Sequence, residues 1–210
     1  MPKSVADLRR QEIVASAVSA IQREGLPFPS YDAVAREAGM SRQLVRHYFP
    51  DAESLMGAVS HAISEVQQGR VATGLARGDE SRLGVLFDYH LGLLDEEDPP
   101  RGALQPVEDA LVVLACRAPD LLEALAERQD ELRLSIVSAT AESYPSLPPA
   151  ACEEIAFVFV SLVHGHWRMV RSFGFDRVGS LQARAAMDRL LRAHLEAAMA
   201  EKPAPVTRRV

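Results

Sequence analysis

The chain has 210 residues, 48% of them hydrophobic and 25% charged, with a net charge of −6. That supplies a core for one large domain, or a small domain joined to a larger one, and excludes a disordered chain. Two cysteines, Cys116 and Cys152, exclude a disulfide scaffold and lack zinc-ligand spacing. The charged start (Lys3, Asp7, Arg9, Arg10, Glu12) is not that of a secretory leader, and the longest largely apolar run, Ala156 to Val163, is well short of the ~20 residues that span a bilayer. The expectation is a soluble cytoplasmic protein with no metal and no cofactor.

No stretch alternates with a period of two, so the fold class expected is all-α, with about nine helices. The first runs from about Val5 to Glu24. Ile13, Ala17 and Ile21 recur at four-residue spacing, Arg9, Arg10, Glu12 and Gln22 form the wet side, and Gly25 ends it in a left-handed conformation. Leu26-Pro27-Phe28-Pro29 cannot lie inside a helix. Ser30 caps a short second helix, about Tyr31 to Ala38, with Asp32 suiting its dipole, and Gly39 stops it. Ser41 caps a third, about Arg42 to Phe49, which Pro50 stops. Asp51 caps a fourth, to about Gln68, lined by Leu55, Met56, Val59, Ile63 and Val66. Three glycines between Gly69 and Asp79 suggest a loop or frayed end.

A fifth helix carries Leu83, Leu86, Phe87, His90, Leu91 and Leu94, and the run from Asp95 to Gly102 breaks it. A sixth is expected from Pro106 to Arg117, a seventh from Pro119 to Ser143, an eighth from Ala150 to Phe173 and a ninth from Ser180 to Ala200. Residues 203–210 are expected to be a flexible tail. Most aromatics in this part read as core. His164 and His166, two apart, point away from each other on a helix and are a poor metal pair.

The charge distribution is uneven. Residues 1–60 hold seven basic and seven acidic residues, so the whole negative excess lies in 61–210. Within the balanced part, Ser30 to Leu55 holds two short helices joined by a glycine turn, the helix-turn-helix plan. The second helix of such a pair enters the DNA major groove. Val45 and Phe49, four apart, would anchor it. Arg42, Gln43, Arg46 and His47 would then face outward, and Arg and Gln pair bidentately with guanine and adenine edges. Leu44 suits a thymine methyl.

Val34-Ala35-x-x-Ala38-Gly39-Met40-Ser41, Tyr48-Phe49 and Glu53-x-Leu55 together resemble the TetR family of bacterial transcription regulators. The motif covers roughly residues 8–60. There are departures. The family usually has Gly or Pro at Gln43, Thr at Leu44, an aromatic at Arg46 and Lys at Ala52. The family's aromatic and Lys at these last two places hold phosphates, so Ala52 removes one backbone anchor while Arg46 replaces another.

The resemblance implies a DNA-contacting set of Ser30, Tyr31, Ser41, Arg42, Gln43, Leu44, Arg46, His47 and Tyr48. It implies a helix-turn-helix domain over 1–50, a connecting helix over 51–68, and a ligand-binding and dimerisation domain over 69–202. The pocket candidates are Ile63, Phe87, His90, Val107, Leu111, Leu125, Phe157 and His164. A homodimer is implied through Leu162, Val163, His166, Trp167 and Val170 on the eighth helix and Ala186, Leu190, Leu191, Ala193 and Leu195 on the ninth. The function implied is a transcription regulator, most simply a repressor, that binds a palindromic double-stranded DNA operator and is released by a small-molecule effector. No enzyme motif stands in the sequence. The competing reading, prompted by Ala52 and the net charge, is a helical binding or interaction protein whose DNA module has decayed.

Overall fold

The computed structural model describes residues 4–25, 28–76, 81–94, 101–174 and 178–200. Among these residues there are nine α-helices and no strand. They are α1 (Val5–Glu24), α2 (Tyr31–Ala38), α3 (Arg42–Tyr48), α4 (Ala52–Ala76), α5 (Arg82–His90), α6 (Gln105–Ala115), α7 (Pro119–Ser143), α8 (Pro149–Ser172) and α9 (Val178–Ala200). A 3-10 turn, Arg101–Leu104, precedes α6. Leu26 and Pro27, the acidic run Asp95 to Asp98, Phe175 and the tail 203–210 lie outside the described residues. No described helix is long and apolar enough to cross a membrane.

The chain forms two compact units, each made of two stretches. The first is Met1–Thr73 with Glu96–Gln129, and the second is Gly74–Asp95 with Asp130–Val210. In the first, α1 packs on α2 and α6, and α2 on α3. Ile13, Ala17 and Ile21 of α1 meet Val34 of α2, Val45 of α3, Leu55, Met56 and Val59 of α4, and Val107 and Leu111 of α6 in one core. The start of α1 is fixed by a reciprocal cap, in which the Ser4 hydroxyl accepts from the Asp7 N–H and the Asp7 carboxylate accepts from Ser4. Gly25 does have positive φ (72°), but its ψ of −159° is extended, not left-handed helical. Gly39 (φ 62°, ψ 30°) is the left-handed residue, and its N–H meets the α2 carbonyls of Ala35 and Arg36.

A buried polar knot also belongs to the first unit. The Glu108 carboxylate of α6 accepts from Arg101 of the 3-10 turn at 3.0 Å, from Arg128 of α7 at 3.3 Å and from Gln67 of α4 at 3.1 Å. The Gln22 amide of α1 donates to the Ala103 carbonyl at 2.9 Å. Arg101 and Gly102, expected in a helix-breaking stretch, thus form a helical turn, because Arg101 buries its guanidinium on Glu108.

The fourth helix is longer than expected. It continues through Gly69 and Gly74 to Ala76 instead of fraying at Gln68. At Gly74 a side chain would come within 2.8 Å of Val85 on α5, so this glycine is a packing notch rather than a break. In the second unit Leu86, Phe87 and Tyr89 of α5, Ile136 of α7, Ile155 and Phe159 of α8 and Met187 of α9 are buried. Phe87 and Phe159 stack with centroids 4.5 Å apart, and the Trp167 indole N–H donates to the His90 carbonyl at 2.8 Å. Arg184 of α9 binds Asp88 at 2.7 Å over the face of Phe87. α9 packs on α8, where the Ser180 hydroxyl and the His166 Nε2 lie 3.0 Å apart.

Candidate nucleic-acid interface

α3 has only seven residues, too few to hold together alone in water. Four features fix it. The Ser41 hydroxyl accepts from the Leu44 N–H at 3.2 Å and caps its start. Val45 and Phe49 are fully buried, each worth about 1.5–3 kcal/mol by apolar transfer. Arg10 of α1 donates from Nη1 to the Tyr48 carbonyl at 2.9 Å, satisfying an end carbonyl of the short helix. The same guanidinium lies over the Phe49 ring, 4.4 Å from its centroid.

With one face of α3 pinned, the rest of it is exposed. Arg42, Gln43, Leu44, Arg46 and His47 are all exposed, as are the caps Ser30 and Ser41, while Tyr31 and Tyr48 are half-buried. The structure brings the nine candidate DNA contacts together on α3 and the start of α2. Phe49, expected as the last helical residue, is the C-cap in extended conformation, which turns its ring inward.

Two α2 residues steady the α3 arginines. Asp32 accepts from Arg42 at 3.3 Å, an exposed pair. The Arg46 guanidinium lies 5.9 Å from the Tyr31 ring centroid. Burial, with Asp51 nearby, raises the Tyr31 phenol above its usual pKa against the opposing charge of Arg46. Asp51 caps α4 by accepting from the Ser54 N–H at 2.7 Å, which holds its carboxyl below the usual range. Sequence reasoning missed Asp32 and Arg10 as partners of α3. Ten and thirty-eight residues separate them from the groups they hold, and no local pattern marks such pairs.

An outward helix bearing two arginines, a glutamine and a histidine on an apolar anchor suits a major groove. No family model matches the chain. Its sequence is 25% identical over 174 residues to the HTH-type transcriptional regulator BetI of Escherichia coli, covering 80% of this chain and 85% of that one. Its fold matches a transcriptional regulator from Rhodococcus with a TM-score of 0.71 and 18% identity, covering 90% and 96% of the two chains. A TetR transcription regulator from Haloarcula marismortui matches with the same TM-score at 16% identity, covering 90% and 98%. The fold is that of TetR-type transcription regulators, and the sequence is similar to that of a helix-turn-helix regulator.

Beyond the helix-turn-helix, the expected site residues scatter. Ile63, Val107 and Leu111 are buried in the first unit's core, with Leu125 packed against it. Phe87 and His90 are buried in the second unit. Phe157 is 68% exposed and His164 is also exposed, so neither lines an interior space. The reason is helical phase: Ile155, Phe159 and Val163 face inward, and Phe157, two residues from both Ile155 and Phe159, points away.

The expected dimer residues divide similarly. Val163, His166, Trp167 and Leu191 are buried within the chain's own second unit and are not free to meet a partner. Leu162, Val170, Ala186, Leu190 and Leu195 are partly exposed, and Ala193 is exposed. His166 is spent on Ser180, and burial lowers its pKa. Among the described residues no group of His, Cys, Asp or Glu is placed to hold a metal.

Proposed function

We propose that this regulator is a homodimeric repressor that binds a near-palindromic DNA operator through α3 and loses affinity when a small molecule binds. One observation carries the reading: Arg42, Gln43, Arg46 and His47 share the free face of a helix whose other face is locked by Val45 and Phe49. Arg42, Gln43 and Leu44, at the N-terminal end, are the base readers. Arg46 and Tyr48 hold phosphates, with Arg46 standing in for the family's usual aromatic. Ala52 holds none.

In a two-fold dimer the two α3 helices would meet half-sites one DNA turn apart, about 34–36 Å. The domain roles follow as part of the same proposal: residues 1–50 bind DNA, 51–68 connect, and 69–202 sense the ligand and dimerise. Leu162, Val170, Ala186, Leu190, Ala193 and Leu195 are the interface residues left available. An effector shifts operator binding only by its differential affinity for the two conformers, and a tenfold loss requires about 1.4 kcal/mol.

Selection of binding sites from random duplex DNA tests this directly. The expected result is an inverted repeat with half-sites about one turn apart, bound with an affinity that falls steeply with salt as phosphates release counterions. Recovery of no sequence, with a flat salt response, overturns it in favour of a helical binding protein with a decayed DNA module.

A further inference from the structure

The first unit contains a cleft of about 720 Å3 between α1 and α4, and of the expected pocket residues Ile63 alone lines it. Its volume falls within the roughly 300–1,000 Å3 of small-molecule sites. The walls are apolar and small: Val14 and Val18 on α1, Ala58, Ala62 and Val66 on α4. Leu104 bounds one end, beside Gln22, and Phe49 and Arg10 bound the other. From Arg10 to Gln22 the α1 wall runs about 18 Å at 1.5 Å per residue. The cleft is therefore long, mainly apolar along its length with Gln11, Ser19 and His61 also on its walls, and cationic at the Arg10 end.

The cation at that end is already in use. Arg10 holds the Tyr48 carbonyl and the Phe49 ring, both at the C-terminal end of α3. A neutral carbonyl is a weaker partner for a guanidinium than a carboxylate, whose hydrogen bonds are about twice as strong. Farther along α4, about 10 Å past Ala58, stands Glu65, which disfavours a second anionic group there.

We propose that this cleft binds an elongated amphiphile with a single anionic head, and that the head draws Arg10 away from the Tyr48 carbonyl. The tail lies along the Val and Ala walls, and the head sits beside Phe49. Occupancy loosens the C-terminal end of α3, so the cleft is an effector site inside the DNA-binding unit itself. Its consequence for DNA rests on reading α3 as the recognition helix; binding of the amphiphile does not.

Dodecanoate is the probe and dodecyltrimethylammonium its cationic control, both kept below micelle formation, with the full chain methyl-labelled at Ala and Val. The expected result is saturable shifts at Val18, Ala62 and Val66, at least tenfold tighter for dodecanoate than for the ammonium. Arg10→Met should abolish that preference, and Ala62→Phe, which fills the cleft, should abolish the shifts at Val18 and Val66. Operator affinity should fall at least tenfold with saturating dodecanoate. The absence of saturable shifts, shifts confined to second-unit methyls such as Val85 and Val163, or equal affinity for both probes overturns the site. Cleft shifts without loss of operator affinity overturn the unlatching. A chain that binds no DNA in amphiphile-free buffer defeats the recognition-helix reading instead, and the methyl titration still decides the cleft.

Discussion

α3 and α8 are both half-buried helices, and they yield their roles to inspection very differently. α3 has seven residues, and its free face carries Arg42, Gln43, Arg46 and His47, chemically unlike its anchor Val45. α8 has 24 residues, and apolar groups lie all round it: Phe159 is buried while Phe157 is 68% exposed. Where the two faces differ in chemistry, position follows from residue type. Where both faces are apolar, a 100° step per residue decides which side is core, and the step must be counted from a known contact.

Paired substitutions attack that contrast most strongly. Phe49→Ala and Phe159→Ala should each destabilise by about 3–5 kcal/mol, because each empties a fully buried aromatic site. Phe157→Ala, two residues from Phe159, should stay within about 0.5 kcal/mol, as exposed sites do. Chemical denaturation measures all three. A large loss at Phe157 would mean that its face is covered, by a second copy of the chain or otherwise.

On α3 the expectation is inverted, with function lost and stability kept. Arg42→Ala and Arg46→Ala should each weaken operator binding by about 1–3 kcal/mol with an unchanged melting temperature. Arg42→Ala should also relax sequence preference, whereas Arg46→Ala should weaken all sequences alike and flatten the salt dependence. If both variants bind like the parent, the outward face of α3 is not the DNA-reading surface.

The α8–α9 seam offers a smaller, pH-dependent effect. Burial holds the His166 pKa below the ordinary imidazole value of about 6.5, so the unfolded chain takes up its proton first as pH falls. The resulting stability is present above about pH 6.5 and is lost progressively below it, until the folded-state pKa is passed. Unfolding curves between pH 8 and 5 should show this slope, and His166→Phe should flatten it.

The smallest effect is expected at Asp32. Asp32→Asn removes an exposed ion pair with Arg42, worth at most about 1 kcal/mol. It also frees the arginine and removes a negative charge beside the phosphates. Non-specific binding should strengthen a few-fold, while discrimination between operator and random duplex falls; competition gel shifts read both.

Much of the first unit was legible because caps, prolines and glycines punctuate it at short range. Ser30, Gly39, Ser41 and Pro50 delimit α2 and α3 to within a residue. The same signal misled at Gly69 and Gly74, both of which lie inside α4; only Gly74 marks a close approach to α5. Phe87, His90, Val107 and Leu111, expected around one pocket, are all buried but belong to two separate cores. Burial follows from local pattern, whereas convergence on one cavity depends on tertiary placement. Arg10 and Asp32 were illegible as partners of α3 for the same reason: a charge at a helix surface looks alike whether it faces water or a neighbouring helix.

Glu108 gathers Gln67, Arg101 and Arg128, from three different elements, onto one carboxylate. Such a group behaves as a keystone. Whatever shifts one of the three changes the charge available to the other two, so α4, the 3-10 turn and α7 are not free to rearrange singly. Neutralising this acid would leave two guanidinium groups crowded in a space with little water, a far heavier penalty than severing any one of its three bonds.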